Sequence, residues 1–127
     1  MPEAPRFLVV IDLGTTNSVV AFVDTSAGVD AKPEVFPLPQ LIRPGTVESR
    51  TQLPSFLYLP AAEERAAEAT RLPWESDPGM IVGAYAQARG AEVPARVVTS
   101  AKSWLSYAGA DRSGAILPFD APEEVPK

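Results

Sequence analysis

The chain has 127 residues, 46% of them hydrophobic, and a formal net charge of −5. This is enough length and apolar content for one compact domain rather than a disordered chain, and the acidic balance, with no block of basic residues, excludes a general nucleic-acid binder. Histidine and cysteine are absent, which excludes Ser-His-Asp and Cys-His catalysis, the usual zinc sites, iron–sulfur ligation and disulfides. Carboxylates, hydroxyls, lysine, arginine and backbone amides are left, a set suited to magnesium and phosphate.

Phe7 to Leu13 reads as a first strand, with Phe7, Val9, Ile11 and Leu13 on one face and Leu8, Val10 and Asp12 on the other. Both faces are apolar apart from the aspartate, which predicts cover on both sides. Gly14 to Asn17 is short enough for a hairpin loop, and Ser18 to Asp24 reads as the antiparallel partner. Thr25 to Lys32 is a polar turn, and Glu34 to Leu38 a third short strand cut by Pro37 and Pro39. Ile42 to Arg50 reads as an irregular strand and loop around Pro44-Gly45, and Phe56 to Leu59 as a strand ended by Pro60.

Ala61 to Thr70 predicts a short exposed helix whose acidic residues form a solvated face. Leu72 to Gly79, with two prolines, reads as loop, and Met80 to Val82 as a short strand. Gly83 to Arg89 is a helix stopped by Gly90. A further helix is predicted from Thr99 to Tyr107, capped by Thr99 or Ser100, with Ala101, Trp104, Leu105 and Ala108 on one face. The helices are short and come late, so the first two strands lack obvious cover. The expectation is a chain that belongs to a larger domain or docks against something. No apolar stretch reaches the length of a membrane span and no signal peptide is apparent. A soluble, cytoplasmic protein without a membrane partner is expected.

The segment Asp12-Leu13-Gly14-Thr15-Thr16-Asn17 carries the chemistry. Gly14 permits close backbone approach, and successive amides in such a turn form a concave donor site for an anion. The Thr15 and Thr16 hydroxyls can rotate toward phosphate oxygens. Asp12, at the strand end, can organise magnesium through its water shell. The same residues also make an ordinary hairpin turn, and this spacing does not separate the two readings. There is no G-x-x-x-x-G-K-[ST] and no G-x-G-x-x-G. Lys102 is the second candidate, as a point charge for a transferring phosphoryl group. Taken by itself, a helix lysine is more often solvated surface.

The run Ile11 to Ser18, IDLGTTNS, resembles the first phosphate motif of the 70-kDa heat-shock (DnaK-type) chaperones, and is also similar to that of sugar kinases in the same actin-like superfamily. Three later segments favour the chaperones. Arg50 to Phe56 resembles their R-T-T-P-S segment with one extra residue, Ile81 to Ala86 their I-G-x-x-A, and Val97 to Leu105 the segment that carries their catalytic lysine. The matches keep the family's order and nearly its spacing.

The resemblance implies a mixed α/β (α+β) actin-like ATPase fold, in part. Residues 1–40 would give the first strands of one lobe, 41–114 a small α+β subdomain, and 115–127 a loose end. It implies ATP and Mg as cofactors. Asp12 would contact the metal through water, Gly14, Thr15, Thr16 and Asn17 would wrap the phosphates, and Lys102 would approach the γ-phosphate and the attacking water. The implied function is ATP hydrolysis that controls binding of unfolded client peptides, assisted by co-chaperones. The second phosphate loop, adenosine pocket, peptide-binding domain and lid of that family have no counterpart in this sequence, and Ala61 to Gly79 reads as an insertion. The alternatives are a sugar or glycerol kinase relative and a non-catalytic interaction module.

Overall fold

The computed structural model describes residues 2–111, 113–119 and 121–127. It is a mixed α+β structure of small antiparallel sheets with short helices. Strands β1 (Phe7–Leu13) and β2 (Asn17–Asp24) form a hairpin paired along its whole length, from Phe7 opposite Asp24 to Leu13 opposite Ser18. The alternating Val, Ile and Phe residues favour this pleated pairing. On the far side of β2 lie β3 (Glu34–Val35) and β6 (Leu53–Pro54). β3 is shorter than the predicted 34–38 strand. Pro37 follows one residue after Phe36, whose N–H still donates to the Val20 carbonyl at 2.8 Å, and a proline cannot extend the ladder.

The stretch around Pro44-Gly45 is more regular than expected. It is a hairpin of β4 (Leu38–Arg43) and β5 (Thr46–Arg50), turning at Gly45 with φ of 76°. A third sheet has β7 (Phe56–Tyr58) at its centre, flanked by β8 (Ile81–Val82) and β9 (Val97–Thr99). Helix α1 covers Ala62–Ala66, α2 covers Ala84–Glu92, and α3 covers Ala101–Trp104. Among the described residues no helix is long and apolar enough to cross a membrane.

The core lies where β4, the third sheet and α2 meet. Leu41, Tyr58, Ile81, Tyr85 and Ala86 are buried together, with Val47, Phe56, Leu72, Val93 and Val97 against them. Helix α2 runs through Gly90 instead of stopping there, which corrects the sequence expectation. Gly90 is a packing glycine: a Cβ there would lie 2.5 Å from Val97 Cγ2, so the absent side chain lets α2 lie against β9. Gly83, with φ of 97°, precedes α2, and Gln40 performs the capping. Buried Gln40 accepts from the Ala84 N–H through Oε1 at 2.9 Å and donates through Nε2 to the Gln52 carbonyl at 2.9 Å. One amide thereby joins β4, the approach to β6 and the helix start.

The acidic helix α1 is also not a plain solvated face. The Glu64 carboxylate accepts from the Tyr58 hydroxyl at 2.7 Å, the Ala61 N–H at 2.9 Å and Arg89 Nε at 2.7 Å. Its side chain is 14% exposed. Burial alone would raise the Glu64 pKa; the Ala61 N–H, the Tyr58 hydroxyl and Arg89 outweigh it and hold the carboxyl below its ordinary value. Burial, followed by Glu64, pushes the Tyr58 phenol up to about 12.

The 99–107 helix shrinks to the single turn of α3. Ser100 at its start has a left-handed backbone, φ 55°, and its side chain makes no capping bond. That conformation costs a non-glycine residue of order 1 kcal/mol, and the chain continues in turns past Leu105.

Candidate functional site

The turn between β1 and β2 is Gly14-Thr15-Thr16; Asn17 already belongs to β2, opposite Pro54. A side chain on Gly14 would run into the Asn17 carbonyl oxygen, so this tight turn requires glycine. Thr15 and Thr16 are exposed, and their hydroxyls make no hydrogen bond among the described residues. Asp12, opposite Val19 in β1, is also exposed and forms no ion pair among the described residues.

Two distant segments close on this turn. The first is Leu53-Pro54-Ser55. β6 pairs with the start of β2, and the Ser55 N–H donates to the Thr16 carbonyl at 2.9 Å. The Ser55 hydroxyl donates to the Gly14 carbonyl at 2.8 Å and lies 3.2 Å from the Ser18 hydroxyl. Two of the turn's carbonyls are thus tied down from one side. The second is α3, from which Lys102 Nζ donates to the Leu13 carbonyl at 2.9 Å across a sequence separation of 89 residues. The ammonium has three N–H groups, so two are left for another acceptor.

Leu13, Gly14, Ser18, Pro54, Ser55 and Lys102 line a cleft of about 460 Å³, whose floor is apolar and includes Leu57, Val82 and Val98. The structure therefore brings Lys102 to the Gly14 turn and leaves Thr15, Thr16 and Asp12 presented to solvent beside it. Ser55 is the residue that reading the chain for chemistry did not single out. The signal was available, since Pro54-Ser55 stands in one of the four segments that carry the resemblance.

These side chains suit an anion better than a bare cation. The Lys102 ammonium reaches the turn, the Thr15 and Thr16 hydroxyls are exposed on it, and the Gly14 and Thr16 carbonyls are already occupied. Among the described residues no group of three or more His, Cys, Asp or Glu could cage a metal. The lone Asp12 fits a hydrated magnesium ion, which keeps most of its water and takes one or two carboxylates together with phosphate. The donor set thus fits magnesium that arrives with a phosphate ligand. No family model, curated protein or solved structure matches this chain.

Proposed function

We propose that this chain is the N-terminal part of the ATP-binding domain of a heat-shock-type chaperone, within the actin-like superfamily, and that it supplies one wall of a Mg-ATP cleft. The observation that carries the reading is the seating of Lys102 on the Gly14 turn, at 2.9 Å from the Leu13 carbonyl. A lysine held against a tight Gly-Thr-Thr turn by a residue 89 positions away has its charge where a terminal phosphate on that turn would meet it. Ser55, which binds the Gly14 carbonyl, keeps the turn in the shape that presents its amides.

In this reading the amides and hydroxyls of Gly14, Thr15 and Thr16 hold phosphate oxygens, and Asn17 borders them from β2. Asp12 would hold a magnesium ion through its water shell. Lys102 offsets the charge of the terminal phosphoryl group and orients the water that attacks it. Magnesium, when bound, offsets the repulsion between Asp12 and the phosphates. In the complete protein, nucleotide state would bias the binding of unfolded client peptides in proportion to the differential affinity of the two states, with co-chaperones acting through other parts.

A wall with these few donors binds weakly. An affinity in the millimolar range, about −4 kcal/mol, is expected for residues 1–127. The test is an amide-resolved NMR titration of the isotope-labelled chain with Mg-ATP. Shifts confined to Gly14 through Asn17, Ser55 and the Lys102 region support the reading. Unmoved amides there at millimolar nucleotide overturn it. Micromolar binding would contradict the assignment of a single wall.

A further inference from the structure

We infer that Ser100, through its left-handed backbone and not through its hydroxyl, is the positioning residue that seats Lys102 on the Gly14 turn. The seating belongs to the free chain; its consequence for ligand binding rests on the nucleotide reading above.

Ser100 is the single joint between a fixed strand and the lysine. β9 ends at Thr99, which pairs with Phe56 of the central strand β7, and α3 begins at Ala101. Ser100 stands between them with φ 55° and ψ 29°. Among the described residues only Glu68 shares a positive φ without being glycine, so the conformation is an exception in this chain and needs a reason. One pair of torsions sets the direction in which α3 leaves β9. An extended residue at position 100 would prolong the strand. The left-handed one turns the chain, and Lys102 Nζ comes to 2.9 Å from the Leu13 carbonyl. A residue with a Cβ is left-handed at a cost, and it stays so where its surroundings determine it.

The rest of α3 gives no other anchor on the hairpin. The helix is four residues long and has no buried residue. Its first turn is closed by the Ser103 N–H, which donates to the Ser100 carbonyl at 2.9 Å. Trp104 meets the rings of Tyr107 and Phe119, with centroids 5.7 and 5.0 Å away, farther along the same chain segment. Among the described residues the one hydrogen bond from α3 to the β1–β2 hairpin is that of Lys102. The conformational cost at Ser100 is therefore set directly against this bond. The Ser100 side chain is exposed and makes no capping bond, so substitution there tests the backbone conformation with little change in packing.

The Leu13 carbonyl reports the seating without any ligand, because loss of the Lys102 bond moves its carbon-13 resonance. Lys102→Ala defines the unseated value. Ser100→Gly, which is left-handed without penalty, is expected to keep the parent resonance. Ser100→Val, whose β-branch makes that conformation an outlier, is expected to move it most of the way to the Lys102→Ala value. In the Lys102→Ala background neither replacement should move it further, since the effect travels through the lysine. With inorganic tripolyphosphate as ligand, Ser100→Gly should bind within about twofold of the parent and Ser100→Val about fivefold or more weaker, the equivalent of about 1 kcal/mol. Amide exchange at Tyr58 should stay unchanged throughout, with the third sheet intact. Equal displacement of the Leu13 resonance by Gly and Val assigns the effect to the lost hydroxyl and overturns the inference. So does a Val variant with the parent resonance, or a Gly–Val difference that persists without Lys102. A parent chain that ignores tripolyphosphate while the carbonyl series holds overturns the nucleotide reading and supports the seating by Ser100.

Discussion

The N-terminal hairpin and the region built around β7 are both rich in apolar residues, and they differ in what lies over them. Tyr58, Leu41 and Ile81 are almost wholly buried, because β4, β8, β9 and α2 surround β7. β1 has a comparable run, FLVVIDL, and every residue of it is exposed. Hydropathy and β-branching suffice to make a strand, but burial depends on which elements the rest of the chain brings to it. Stability should therefore be concentrated around β7, with the hairpin attached through β6, Ser55 and Lys102.

The largest expected effect is at Tyr58. Tyr58→Ala removes a fully buried ring that meets Tyr85 edge-on with centroids 6.3 Å apart and donates to Glu64. A loss of about 3–5 kcal/mol is expected in urea unfolding, against a change within about 0.5 kcal/mol for Val10→Ala on the open hairpin. Equal costs at the two positions would break the comparison.

Glu64→Gln comes next, at about 1.5–3 kcal/mol, since it leaves Arg89 and the Tyr58 hydroxyl with a neutral partner. The pH dependence has a definite sign. Glu64 has a lowered pKa in the folded chain, so its contribution is fully present above the usual glutamate value of about 4.3 and is lost as pH falls through the lowered folded value. Asp24, held down to about 2 by the Ser26 hydroxyl and N–H and then by Arg6, acts in the same direction over a more acidic window. Unfolding curves between pH 5 and the acid transition should be less steep in pH for Glu64→Gln than for the parent chain; identical slopes would remove Glu64 from the account.

Gly90→Ala should cost about 1–3 kcal/mol through the clash with Val97, and a neutral result would mean that α2 can shift on β9. Ser55→Ala should cost about 1 kcal/mol. Its informative readout is local: faster hydrogen exchange at Asn17 and Ser18, with exchange around Tyr58 unchanged.

Much of the fold was legible in the sequence. β1 occupies the predicted residues, and β2 starts one residue early because Asn17 pairs with Pro54 across the chain. The helices were less legible. Gly90 has the local signature of a helix stop, and only the position of Val97 makes it a packing glycine instead. Thr99 to Tyr107 has the periodicity of a helix, but Ser100 is left-handed and the turn after Trp104 is not continued. Glu64 looked like one more surface acid in an Ala- and Glu-rich run; its role depends on Tyr58 and Arg89, which no local pattern connects to it. At the candidate site the types of residue were legible; the resemblance, not spacing, implied that Lys102 would approach a phosphate on this turn, and its bond to the Leu13 carbonyl was not anticipated. Ser55, which acts through a backbone carbonyl, has no chemical signature in one dimension.

The central claim is that Lys102 and the Gly14 turn form one anion-binding wall. It is tested most directly by titrating inorganic tripolyphosphate into the labelled chain and into Lys102→Ala, reading the Gly14, Thr15 and Thr16 amides. The account predicts saturable millimolar shifts at those amides in the parent chain, weakened about tenfold or more in the variant, with unfolding free energy changed by no more than about 0.5 kcal/mol. Identical titrations of the two chains, or no movement of the turn amides in either, would contradict it.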